Sequence, residues 1–222
     1  MKIKLQKFIA DSGYYSRRKA EELILNNKVR VNNKLAQIGM RISSADKITI
    51  EDNLIKPKKE LIYIALHKPR GYVCTNKKEG KIKNVFDIIP LKEKLFVVGR
   101  LDKESRGLVL LTNDGDFAYR TTHPSFSHEK EYNIVVDKNI NKEDIEKLLR
   151  GVDIKEKTLA KIKSIEKIES KKYKVILTEG RNRQIRRSLG SLFYTVLDIK
   201  RVRINNYNLR GIKEGSWKKL KP

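Results

Sequence analysis

From residue 61 onward the chain interleaves short apolar runs with amphipathic ones, and this alternation constrains the fold more than any other feature. LIYIALH (61–67), LVLLT (108–112), EYNIVVD (131–137), TLAKIKSIEKI (158–168), KKYKVILTE (171–179) and LDIKRVRI (197–204) read as strands. LVLLT is apolar enough to be buried on both faces of a sheet. Between the strands, DGDFAYRTT behind the capping residue Asn113, NKEDIEKLLRG ended by Gly151, and NRQIRRSLGSLF read as helices. Strand outweighs helix and the two are mixed along the chain. The expected class is therefore α+β, with a mixed, mainly antiparallel sheet and flanking helices.

The first 50 residues form a separate small α/β unit. Leu5, Phe8 and Ile9 share a helical face, and Gly13 suits a left-handed helix end. Ser16 stands where an N-cap belongs, ahead of Ala20, Leu23 and Ile24 at helical spacing. In VRVNNKLA the pair Asn32-Asn33 predicts a tight hairpin turn, and DKITI closes the unit as a strand. EDNLIKPKKE (51–60) reads as a linker, leaving 61–222 as the larger domain.

Charge narrows the function. Lys and Arg total 51 against 27 Asp and Glu, a formal net charge of +24. The stretch before residue 61 holds 14 basic and 7 acidic residues, and the remainder 37 and 20, so both parts are positive. Such a field favours a polyanionic partner. The lone Cys74 excludes an intramolecular disulfide framework and a cysteine-rich zinc site, and His67, His123 and His128 show no metal-ligand spacing. No apolar run approaches the ~20 residues of a membrane helix, and the first residues lack the pattern of a secretory signal. The expectation is a soluble, cytoplasmic protein that binds nucleic acid, with no membrane partner.

Several segments carry candidate chemistry. Arg17, Arg18 and Lys19 crowd the first turn of a helix, where they oppose the helix dipole unless a phosphate sits there too. VVGRLDKESRGLVLLTNDG (97–115) places Asp102 between Arg100 and Lys103, with Arg106 nearby and Gly107 permitting close backbone approach. A carboxylate among cations stays ionised; it serves as nucleophile or base, or simply as a surface ion pair. HKPRGYVCT (67–75), HEKEY (128–132) and TEGRNRQIRR (178–187) supply Lys68, Arg70, Tyr132 and four arginines. Taken singly, Tyr132 reads as a core residue, the arginines as phosphate binders, and Asp198 as an ion-pair partner of Lys200 or Arg201.

Residues 2–48, through the order helix, SRRKAEELI, KVRVNNKLA, resemble the S-four-type RNA-binding domain. That resemblance implies that Arg17, Arg18 and Lys19 face RNA, helped by Arg30. From about residue 61 to the end, GRLDKESRGLVLLTNDG and its companions resemble the Rsu-type pseudouridine synthases. The resemblance implies that Asp102 is the catalytic aspartate, that Tyr132 stacks on the target base, and that Arg186 pairs with the aspartate. Arg100 is similar to an arginine that enters the RNA helix where the base has left. Arg181, Arg183 and Arg187 would hold the RNA backbone, with Lys218, Lys219 and Lys221 further out.

The implied reaction is an isomerisation of a uridine in ribosomal RNA, or in an assembly intermediate, by a monomer without metal or cofactor. Two stretches depart from the family pattern: Ser188 stands where relatives carry methionine, and SLGSLFYTVLDI is idiosyncratic. The competing reading is a non-catalytic ribosome-assembly factor. The joint presence of Asp102, Tyr132 and Arg186 favours the enzyme.

Overall fold

The computed structural model describes residues 2–56, 60–76, 80–123, 126 and 128–221. It resolves into two compact units, one reaching Leu61 and including Asn113–Gly115, the other holding Ile62–Thr112 and the chain from Asp116 onward.

The first unit runs β1 (Ile3–Lys4), α1 (Leu5–Asp11), α2 (Arg17–Leu25), β2 (Val29–Val31), β3 (Lys34–Leu35), β4 (Arg41–Ile42), β5 (Ile48–Ile50) and β6 (Asn53–Leu54). Leu5 and Ile9 of α1 join Ala20, Leu23 and Ile24 of α2 in one core with Val29, Ile48 and Ile50. The Ser16 hydroxyl accepts the Lys19 N–H at 3.2 Å, capping α2, and Gly13 takes φ +87° beyond α1. Asn32 and Asn33, at φ 49° and 66°, make the tight turn between β2 and β3.

The stretch 51–60 departs from the linker expected there. Glu51 and Asp52 both take positive φ and turn the chain back, so that β6 pairs with β5, and Ile55 is buried in the same core. Two acidic residues at a turn that usually takes Asn or Gly concealed this hairpin. Positions 57–59 lie outside the described residues.

The second unit contains β7 (Tyr63–Lys68), a 3₁₀ turn (Val85–Ile88), β8 (Phe96–Val98), β9 (Arg106–Thr112), α3 (Gly115–Thr122), β10 (Lys130–Val136), α4 (Lys142–Arg150), β11 (Ser164–Glu169), β12 (Lys172–Leu177), α5 (Gln184–Gly190), β13 (Val196–Ile204), β14 (Tyr207–Asn208) and β15 (Trp217–Lys219). The main sheet has the order β11-β12-β10-β13-β9-β7-β15, with β8 on β9 and β14 on β13. Its pairs are antiparallel except for the short parallel contact of β13 with β9. Leu108, Val109, Leu110 and Leu111 are fully buried. They alternate between two cores, Val109 and Leu111 facing one and Leu108 and Leu110 the other. A third core gathers β10, β12 and β13 under α4 and α5.

Two elements are shorter than the periodicity suggests. α5 begins at Gln184 because Arg183 is left-handed at φ 48°, and it ends at Gly190. The strand expected over 158–168 begins only at Ser164; before it, Ala160 bridges to Val152. No helix among the described residues is long and apolar enough to cross a membrane.

Candidate active site

Asp102 lies on the turn that leads into β9, where its carbonyl accepts the Ser105 N–H at 3.1 Å. β9 then meets β13 with Gly107 opposite Arg201. Gly107 has φ +117°, and a Cβ there would lie 2.2 Å from the Arg201 carbonyl oxygen. Only glycine permits this approach. On the other side of β13 the register with β10 slips between Glu131 and Tyr132, which puts Tyr132 opposite Arg201. A bulge of this kind re-aims side chains beside a site.

Two buried cations fix the loop that bears Asp102. Arg201 is 1% exposed. Its guanidinium donates from Nε to the Leu108 carbonyl at 2.8 Å, from Nη1 to Arg100 at 3.3 Å, and from Nη2 to Gly99. Lys68 is fully buried, and its Nζ donates to the carbonyls of Pro69 (2.9 Å), Lys103 (3.3 Å) and Ser105 (2.6 Å). Arg201 thus holds the backbone ahead of Asp102, and Lys68 holds it behind. Burial pushes the Lys68 ammonium below its usual range, with the nearby Asp102 charge among the groups opposing that shift.

Beside this loop opens a cavity of about 850 Å³, lined among others by Arg100, Asp102, Lys130, Tyr132, Arg181 and Arg183. Tyr132 is 8% exposed and belongs to the β10 core as well as the cavity wall. Lys130, two residues before it, is pushed down in pKa by burial and then by Arg201. Burial raises the Cys74 thiol, which also lines the cavity.

The far wall is the turn before α5. There Gln184 accepts the Arg181 N–H and donates to Glu179. All three side-chain nitrogens of Arg181 donate to protein acceptors: Glu179, Glu156, Thr158 and the Leu159 carbonyl. Arg187 likewise grips Glu156 and the Ile154 carbonyl. These two arginines brace the 154–159 segment against α5. Arg183 is exposed at the cavity edge.

Arg186 departs from the expected arrangement. Among the described residues it makes no ion pair with Asp102 and does not line the cavity. Its Nη1 donates to the Val196 carbonyl at 2.5 Å, and its buried Nε has no partner among the described residues. Burial and then Arg183 lower its pKa, while Asp102 opposes them, so aspartate and arginine attract without touching. Its bond to the Val196 carbonyl draws the Arg186 side chain toward the start of β13, while Arg183, Gln184 and Ile185 line the cavity.

Asp198 also differs from expectation. It binds Arg70 at 2.6 Å and Arg106 at 2.8 Å, not Lys200 or Arg201. Arg201 is drawn inward by the three carbonyls, and Arg70 and Arg106 reach across from neighbouring segments. Burial alone would raise the Asp198 carboxyl, but the bonds from Arg106 and Arg70 outweigh it and hold it low.

In the first unit Arg17, Arg18, Lys19 and Arg30 are all exposed. Lys19 pairs with Glu22 at 2.5 Å, and Arg30 donates to the Asn33 carbonyl at 3.3 Å.

The sequence names Arg201 only as a partner for Asp198, gives Lys68 no role, and does not single out Lys130. The alternation in LDIKRVRI held the signal for Arg201, which shares the inward phase with Ile199. An arginine in that phase needs buried acceptors.

A family model described as RNA pseudouridylate synthase matches residues 62–191, and an S4 domain model matches residues 3–48. The chain is 38% identical to a protein named dual-specificity RNA pseudouridine synthase RluF of Escherichia coli, over 98% of this chain and 75% of that one. It is 37% identical to the ribosomal large subunit pseudouridine synthase B of Bacillus subtilis, over 99% and 92%. A crystal structure of a pseudouridylate synthase superposes with a TM-score of 0.72 at 28% identity, covering 99% of this chain and 96% of that one. With an S4 domain preceding the unit that holds the cavity, the chain belongs to the RNA pseudouridine synthase family.

Proposed function

We propose that this chain isomerises a uridine of ribosomal RNA to pseudouridine in the cytoplasm, with Asp102 engaging the nucleotide after its base has left the RNA stack. One observation carries the reading. Asp102 and Tyr132 come from separate elements, yet they border the same cavity of about 850 Å³, beside a loop clamped by buried Arg201 and Lys68. The relative named as a large-subunit enzyme supports ribosomal RNA as the substrate class.

In the reaction the bond from C1′ of the ribose to the base nitrogen breaks, and the base turns. A bond from C1′ to C5 forms, and the C5 proton is lost while the vacated nitrogen gains one. Atoms and electrons balance within the nucleotide and solvent. Extracting the base costs a few kcal/mol, which stacking on Tyr132 and insertion of Arg100 into the vacated space offset. The backbone clamps keep the Asp102 carboxylate at a fixed depth, so little ordering is left to the moment of reaction. Arg186 acts on Asp102 through its field rather than by contact.

RNA phosphates are held by Arg183 at the cavity and by Arg17, Arg18, Lys19 and Arg30 in the first unit. Arg181 and Arg187 serve the frame of the site, because contact with phosphate would cost them their protein acceptors.

The test uses unmodified ribosomal RNA transcripts with wild-type protein and Asp102→Asn. Expected are pseudouridine from the wild type alone and RNA affinities within a few fold of each other. Product from Asp102→Asn would remove the aspartate from the mechanism. A wild-type protein that binds ribosomal particles but makes no pseudouridine would point to an assembly factor instead.

A further inference from the structure

At the lip of the cavity four rings form a connected cluster that the proposed reaction leaves unused. Tyr119 on α3 lies 4.5 Å from His123 and 6.0 Å from Phe126, centroid to centroid. Phe126 lies 6.3 Å from His123 and is stacked on His128 at 5.6 Å with an interplanar angle of 24°. Tyr119 is 54% exposed and Phe126 49%, an unfavourable arrangement for two large rings unless something covers them. His123 and His128 both line the cavity wall that contains Asp102 and Tyr132, so the cluster is continuous with the candidate active site.

His128 adds a polar group to this surface. Its Nδ1 lies 2.8 Å from the Asn205 side-chain amide nitrogen. Its Nε2 is buried and has no hydrogen-bond partner among the described residues. A neutral imidazole that accepts at Nδ1 carries its proton on Nε2, which leaves one donor in the wall without an acceptor. Such a group is costly to leave unmade and marks a place where an incoming acceptor is expected. The cavity volume of about 850 Å³ lies high in the ~300–1,000 Å³ range of sites for drug-sized ligands, which gives room beyond a single flipped base.

We propose that Tyr119, Phe126 and His128 form a second nucleobase site, a shelf on which an unpaired base neighbouring the target uridine stacks while His128 Nε2 donates to one of its oxygen or nitrogen acceptors. The inference rests on the reading of the cavity as an RNA site. RNA is the favoured occupant, because the chain carries a net charge of +24 and exposed rings beside cations are the usual means of holding single strands. The shelf reads local RNA structure near the target, by whether a base is free to stack. Asp102 and Tyr132 read the target itself.

The experiment uses the full chain and two probes: an unmodified ribosomal RNA transcript for affinity and conversion, and a short single-stranded RNA carrying 2-aminopurine for stacking. Phe126→Ala and Tyr119→Ala are each expected to weaken transcript binding about tenfold and to relieve the quenching of 2-aminopurine seen with wild type. Phe126→Leu keeps apolar volume but removes the flat face, and is expected to behave as Phe126→Ala. Phe126→Trp is expected to restore both signals.

Affinity and quenching within twofold of wild type in both Ala variants would overturn the proposal. So would wild-type binding by Phe126→Leu, since it would show that the ring only packs. Conversion by wild type is read in parallel. Its absence would count against the proposed reaction, while affinity and quenching would still decide the shelf.

Discussion

Gly107→Ala isolates the contact on which the site geometry depends. The added methyl carbon would lie 2.2 Å from the Arg201 carbonyl oxygen, 2.5 Å from its nitrogen and 2.9 Å from its carbonyl carbon. All three are backbone atoms, so no side chain can swing aside. β9 and β13 would have to part by about 1 Å to reach ordinary contact. That separation breaks the short parallel ladder, about 1 kcal/mol for each bond lost, and the φ of +117° adds about 1–3 kcal/mol of strain for a residue with a Cβ.

The sum is a loss of about 3–5 kcal/mol, or a fall in Tm of roughly 6–20 °C for a unit of this size. Because β13 carries Arg201, its shift also loosens the carbonyls of Gly99 and Arg100 and so the placement of Asp102. Urea unfolding of wild type and variant gives the stability difference. Single-turnover conversion at saturating enzyme gives the effect on the site. A loss below about 1 kcal/mol with unaltered turnover would refute the argument that glycine is required there.

Other consequences follow from the same contacts. Arg201→Lys keeps the charge but cannot span the three carbonyls of Gly99, Arg100 and Leu108; single-turnover conversion should fall at least about tenfold, a cost of about 1.4 kcal/mol, with a smaller change in RNA affinity. Asp198 has a carboxyl pKa held below its ordinary value, so its contribution is present above the unfolded pKa of about 3.9 and is lost as pH falls through the lower folded value. Asp198→Asn should therefore flatten the acid limb of stability against pH, measured by urea midpoints. Changing Arg17 and Arg18 together to Ala should reduce the slope of log affinity against log salt by about 1.4–1.8 if each contacts one phosphate, leaving single-turnover chemistry measurable at high enzyme concentration.

The small unit was legible because its signals are local. Ser16, Gly13 and the Asn32-Asn33 pair each act within a turn of chain, and each occupies the conformation its chemistry favours. LVLLT announced a strand buried on both faces for a similar reason. Glu51 and Asp52 concealed a hairpin because they adopt positive φ without being Gly or Asn.

In the site, Gly107 was readable as a place of close approach, but the strand it approaches was not, since β9 and β13 are about ninety residues apart in sequence. The same distance hid Arg201, whose three acceptors lie on another segment. Arg181 and Arg187 looked like phosphate ligands because a guanidinium reads the same whether its partner is RNA or Glu156. By sequence Asp198 reads as a partner of its neighbours Lys200 and Arg201, whereas its partners come from β9 and the turn after β7.

The most direct test of the central claim is carbodiimide mapping of pseudouridine across total ribosomal RNA, with and without the gene, repeated with an Asp102→Ala copy. The account predicts a modification that disappears without the gene, returns with the unaltered copy and fails to return with Asp102→Ala. An unchanged map, with the protein expressed and bound to ribosomal particles, would contradict it.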